Sequence, residues 1–197
     1  MEELVQKSVS ALGPLTTMVA NAGIAQCKAP LDITEDDMQR MFSINVFGVH
    51  NCYSCAARQM IKQGPLPSQG MYKLIGAASI AAFKASPMLA HYSASKWAVR
   101  GLTQAFAMDM ASHKITVNAF APGIVGTAMW DMLDEELGKM TGVQKGESIR
   151  KYSQELISLG RTSVPEDVSS TVHFLASNDS DYMTGQTIVI DGGIVFT

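Results

Sequence analysis

Leu15-Thr-Thr-Met-Val-Ala-Asn-Ala-Gly23 is the stretch on which the fold turns. Residues 15–20 are apolar and β-branched, without the polar alternation of a strand that faces water on one side, and read as a strand of a buried parallel sheet. Asn21-Ala22-Gly23 stops it. Upstream, Leu4, Val5, Val9 and Leu12 recur at helical spacing, and Gly13-Pro14 ends them as a C-cap followed by a breaker, so a helix over 2–12 leads into the strand.

The same alternation continues downstream. Thr34 is placed to cap a helix, with Asp37 at its third position, where a carboxylate meets the positive end of the helix dipole. That helix is expected to run to about Lys62, and Gly64-Pro-Leu-Pro-Ser-Gln-Gly70 is a loop. Tyr72 to Ala77 forms a second buried strand, 90–111 a second long helix, and Ile115 to Ala121 a third strand closed by Pro122-Gly123. Residues 124–160, richer in charge, glycine and methionine (Met129, Met132, Met140), have no clean period and read as a mobile lid over a pocket. Pro165-Glu166-Asp167 opens a last helix and Thr187 to Ile190 makes a fourth strand. Strands alternating with helices predict one α/β domain over residues 1–197.

Composition narrows the function classes. A net charge of -3, with Lys and Arg scattered along the chain, leaves no basic footprint for nucleic acid. Met1-Glu2-Glu3 lacks the basic start of a secretory signal, and no apolar run approaches the roughly 20 residues that span a bilayer. A soluble cytoplasmic protein is expected. Cys52 and Cys55 form a C-x-x-C beside His50, but inside a predicted helix rather than at its N-terminus, and with too few further ligands for zinc. They read, with Cys27, as small thiols packed along a helix, and the four dispersed histidines predict no metal site.

Tyr92-Ser-Ala-Ser-Lys96 carries the chemistry. Four residues apart on a helix, a phenol and an ammonium share one face. A phenol of pKa ~10 is a poor base at neutral pH, and lowering it by ~3 units takes about 4 kcal/mol of preferential stabilisation of the phenolate. A neighbouring ammonium contributes to that. Taken singly, each candidate has a plainer reading: Tyr92 as an interfacial aromatic, Lys96 as a solvated charge, Ser79 as a cap, Asn45 as a locally satisfied buried amide, Asn21-Ala22-Gly23 as a turn.

Their order along the chain is the stronger signal. Asn21-Ala22-Gly23, Ile44-Asn45-Val46, Ser79, Tyr92-Ser-Ala-Ser-Lys96 and Pro122-Gly123-Ile124 together resemble the short-chain dehydrogenase/reductase family. The resemblance implies a Rossmann-like parallel sheet with flanking helices. It also implies hydride exchange with a nicotinamide cofactor, whose positive charge when oxidised adds to that of Lys96. Tyr92 would act as acid or base and Ser79 would hold the substrate oxygen. Asn45 would hold a water that connects Lys96 to solvent. Asn21, Ala22 and Gly23 would lie beside the cofactor with Tyr92 and Lys96, and Pro122, Gly123, Ile124, Val125 and Thr127 along its nicotinamide end. The residue before Asn21 is Ala20, where the family usually has a second Asn.

Ala98-Val-Arg-Gly-Leu-Thr103, Thr127-Ala-Met-Trp130, Asp179-Ser-Asp-Tyr-Met-Thr-Gly-Gln186 and Ile190-Asp-Gly-Gly193 look like the diacetyl and acetoin reductases, or 2,3-butanediol dehydrogenases. That likeness implies small ketone, hydroxyketone and diol substrates, and NAD. The two long helices match those that make the family's dimer and tetramer contacts, which implies a homo-dimer or homo-tetramer. A family member begins with a strand, a glycine-rich turn and a helix that receives the pyrophosphate. None of the sixteen glycines forms that fingerprint after a strand, and the nearest even spacing, Gly138, Gly142 and Gly146, falls in the 124–160 stretch. The expectation is a sheet truncated by its first β-α-β-α-β, with the strand at 15–20 at an open edge that another chain, the N-terminal helix or a rearrangement covers. The choice between NAD and NADP stays open with it. The alternative is a non-catalytic oligomeric binding or scaffold protein derived from such an enzyme.

Overall fold

The computed structural model describes residues 1–66 and 70–197. In order along the chain run α1 (Glu2–Leu12), β1 (Thr17–Ala20), α2 (Glu35–Phe42), α3 (Gly48–Gln63), β2 (Tyr72–Ala77), α4 (Ala90–Met110), β3 (Ile115–Pro122), α5 (Ala128–Thr141), α6 (Glu147–Leu156), α7 (Pro165–Ala176) and β4 (Thr187–Ile190). The strands form one parallel sheet in the order β1-β2-β3-β4, with Ala20 beside Gly76, Ala77 beside Phe120 and Pro122 beside Ile190. Of the loop read at 64–70, residues 67–69 lie outside the described residues.

Alternation along the strands sorts the core into two layers. Tyr72 and Leu74 of β2, with Ile115, Val117 and Ala119 of β3, pack against Val49, Tyr53 and Met60 of α3 and Val99 and Ala107 of α4. Ile75, Ala77 and Phe120 face the other way onto Leu175, Val168 and Val172 of α7. Both faces of the central strands are covered, so even their polar members Lys73, Thr116 and Asn118 are buried. α3 comes so close to β2 that a Cβ at Gly76 would overlap the Tyr53 hydroxyl.

The helix from Glu35 runs through to Gln63, with Ser43–Phe47 as a π-helical turn within it, between α2 and α3 and centred on the buried Asn45. The stretch without a clean period, 124–160, holds the regular helices α5 and α6. The helix cap at Thr34 forms as a full capping box with Asp37. The three thiols are free and half-buried, with Cys52 at the edge of the core. Among the described residues no group of His, Cys, Asp and Glu is placed to hold a metal ion, and no helix is long and apolar enough to cross a membrane.

Candidate active site

Because every strand runs the same way, their C-terminal ends open onto one edge of the sheet, where α/β folds bind ligands. β1 delivers Asn21 to Gly23 there, β2 delivers Ser79, and β3 delivers Pro122 to Thr127. α4 brings Tyr92 and Lys96, one helical turn apart, across the end of β2. The Tyr92 hydroxyl faces the Ser79 side chain. Lys96 Nζ lies 5.6 Å from the centre of the Tyr92 ring and donates to the Ala77 carbonyl at 2.7 Å. Ser79 Oγ also accepts from Ala81 N at 3.1 Å, so the plain reading of Ser79 as a cap holds alongside its contact with Tyr92.

Burial dominates the electrostatics. It raises the Tyr92 phenol above its ordinary value, with only the Ser79 side chain opposing it, so the phenol is protonated at neutral pH. Lys96 is itself only 4% exposed, and burial pushes its pKa down to about 8.

Asn45 is fully buried and its amide is engaged by protein groups. Oδ1 accepts from Ile24 N at 2.9 Å, while Nδ2 faces Ile24 O at 2.9 Å, Ser95 Oγ at 3.0 Å and Met41 Sδ at 3.1 Å. This clamp ties the end of the β1 loop to the π-helical turn and to α4. A Cβ at Gly23 would lie 3.3 Å from Asn45 Oδ1 and 3.5 Å from Lys96 Nζ, so this glycine lets the loop after β1 approach both groups closely.

Pro122 to Thr127 reach the same edge, but their bonds run toward β4 and the 163 region. Gly123 N donates to Ile190 O, Ser163 Oγ donates to Ile124 O at 3.1 Å, and Thr127 Oγ1 donates to Val125 O at 3.3 Å. Gly123 sits so tightly against Asp191 that a Cβ would come within 2.7 Å of it.

Several residues that shape the site were not singled out by sequence reasoning. Glu136 of α5 accepts from Cys27 N at 2.8 Å, holding the 124–160 segment against the loop after β1. Gln26 in that loop joins Asp37 at 3.2 Å to the ring of His91 at 3.0 Å, next to Tyr92. Met88, in the left-handed region at φ 63, presents its carbonyl to Lys28 N at 2.8 Å. None has a local pattern, since each pairs residues far apart in the chain. Ser95 lay inside the quoted Tyr-to-Lys segment, its adjacency to Lys96 the one available signal.

The sequence matches, over residues 1–195, the family described as enoyl-(acyl carrier protein) reductase. It is 47% identical over 195 residues to an L-2,3-butanediol dehydrogenase of Corynebacterium glutamicum, covering 99% of this chain and 73% of that protein. To a diacetyl reductase ((S)-acetoin forming) of Staphylococcus epidermidis it is 46% identical over 196 residues, covering 99% and 74%. The fold superimposes on the crystal structure of a short-chain type dehydrogenase/reductase from Mycobacterium marinum with a TM-score of 0.85 at 32% identity, covering 99% of this chain and 70% of that one.

Proposed function

This chain belongs to the short-chain dehydrogenase/reductase family, and we propose that it interconverts a small ketone or hydroxyketone of the diacetyl and acetoin kind with its alcohol, by hydride transfer with NAD(P). The observation that carries this reading is the Tyr92 hydroxyl facing the Ser79 side chain, with the Lys96 ammonium 5.6 Å from the centre of the Tyr92 ring. A carbonyl oxygen beside that pair meets two hydroxyl donors. Burial keeps Tyr92 protonated, which suits a general acid in the reducing direction. Ser79, held by its own turn, orients the oxygen. Lys96, titrating near 8, is mostly charged at pH 7 and stabilises the phenolate left once the proton has moved.

We place the nicotinamide nucleotide across the strand ends, held by Asn21 to Gly23, Tyr92 and Lys96 on one side and Pro122 to Val125 with Thr127 on the other; the lack of a side chain at Gly23, beside Asn45 and Lys96, supports this placement. Bound there, the cofactor supplies or removes the hydride. The names of the relatives support the substrate class, and we take NAD as the cofactor. Residues 124–160 act as the substrate lid, closed through Glu136 onto Cys27. Exposed Phe47, Trp97 and Met108 on the long helices support assembly as a homo-dimer or homo-tetramer, and we place the protein in the cytoplasm.

Titration with NADH and NADPH, followed by nicotinamide fluorescence, tests the reading. Saturable binding together with diacetyl- or acetoin-dependent oxidation of NADH supports it. No binding at millimolar cofactor overturns it in favour of a non-catalytic binding or scaffold protein.

A further inference from the structure

The hydrogen bonds around Asn45 have a fixed direction, because an amide nitrogen only donates and a peptide carbonyl only accepts. Ile24 N–H identifies Oδ1 and so sets the orientation of the amide. One Nδ2 hydrogen goes to Ile24 O, and the other points into the buried space shared by Ser95 Oγ and Met41 Sδ. Ser95 gives its only proton to the Tyr92 carbonyl at 2.7 Å, which leaves its oxygen to accept from Asn45. Asn45 and Ser95 are each 0% exposed, so water replaces neither partner unless the contact between α4 and the π-helical turn opens. Ser95 therefore sits between the peptide of Tyr92 and the amide of Asn45, and its own peptide leads directly into Lys96.

We propose that Ser95 is a positioning residue: its hydroxyl carries the placement of Asn45 and the Ile24 loop to the turn of α4 that bears Tyr92 and Lys96. The consequence for turnover rests on the hydride-transfer reading above, whereas the coupling is a property of the protein without ligand. In Ser95→Ala the second Nδ2 hydrogen is left with the weak thioether acceptor alone, and the tie from Asn45 to the Tyr92 peptide is gone. The turn is then free to shift by the fraction of an ångström on which oriented catalysis depends, and to admit water beside Lys96.

The test follows the titration of Lys96 by NMR in protein carrying 13C-labelled lysine, the signal assigned by its loss in Lys96→Arg. Wild type is expected to titrate near 8. Ser95→Ala is expected to move that value up by about 0.5 or more, toward that of a hydrated lysine. Ser95→Thr, which keeps the hydroxyl, and Met41→Leu, which changes the same buried space without breaking the Ser95 bonds, are expected to leave it in place. With diacetyl, Ser95→Ala is expected to lower kcat about 10- to 100-fold while KM changes less than about threefold. A Lys96 titration that does not move in Ser95→Ala, or moves equally in Met41→Leu, overturns the proposal. Failure of the wild type to turn over any small ketone overturns the functional reading instead, and the Lys96 titration still decides the coupling.

Discussion

Lys96 Nζ donates to the carbonyl of Ala77 at 2.7 Å, so the helix that bears Tyr92 is fastened to the strand end that leads into Ser79. That neutral acceptor holds the ammonium in place but does not offset its loss of water. Burial alone accounts for the fall of its pKa from 10.5 to about 8.

Stability should therefore depend on pH through Lys96. Between pH 8 and about 10 the unfolded chain keeps a proton that folded Lys96 has released, so protons favour unfolding, and this contribution to stability rises with pH across that window. The Cys27 and Cys52 thiols, pushed up by burial from 9.0, act in the opposite sense above about pH 9. The informative quantity is the difference between variants. Urea midpoints of wild type relative to Lys96→Met should climb from pH 8 to 10, and a flat difference would show that Lys96 titrates as a solvated lysine.

Tyr92→Phe removes the proton donor without changing the ring. Turnover should fall about 10²- to 10⁴-fold, the usual contribution of a general acid, while the NADH dissociation constant stays within about twofold. Steady-state assays beside fluorescence titration check both, and retained turnover would remove Tyr92 from the chemistry.

Gly23→Ala places a methyl 3.3 Å from Asn45 Oδ1 and 3.5 Å from Lys96 Nζ. The backbone there is not in the left-handed region, so folding should be little affected and Tm should move by no more than a few degrees. Cofactor affinity should drop about tenfold, equivalent to about 1.4 kcal/mol. Equal NADH binding by variant and wild type would mean that this space does not receive the nucleotide.

Lys73, with a side chain 2% exposed, is held by Asp181 at 2.6 Å and Ser180 Oγ at 3.1 Å, joining β2 to the turn before β4. Asp181→Ala leaves a buried ammonium with one neutral partner and should cost about 2–4 kcal/mol, less than for a fully enclosed pair because the Asp181 side chain is 32% exposed. Lys73→Met, which removes the charge and keeps the volume, should cost less. Denaturant unfolding of the two variants decides the order, and a reversed order would sink the account.

Where a local pattern sufficed, the elements were legible. Tyr72 to Ala77 is short and mostly apolar and reads as a buried strand although Lys73 interrupts it, and the Thr34–Asp37 box is closed by residues three apart. The π-helical turn at Ser43–Phe47 was not legible, because one extra residue in a helical ladder leaves the apolar period almost unchanged and is pinned here by partners 21 and 50 residues away. Nor were α5 and α6, whose weakly patterned stretch becomes regular through ties such as Asp134 Oδ1 to Ile149 N at 2.9 Å. The protonated state of Tyr92 was likewise out of reach, since desolvation belongs to the folded protein.

By itself the sequence determined that Tyr92 and Lys96 share a face, because four residues make about one helical turn, and that the strands run parallel, because helices lie between each strand and the next. Only the tertiary structure decided that Ser79, Asn45, Ser95 and Gly23 close around them. Parallel strand ends gather at one edge only once the sheet has formed, and the hydrogen bonds that hold these groups are made between residues up to 50 positions apart.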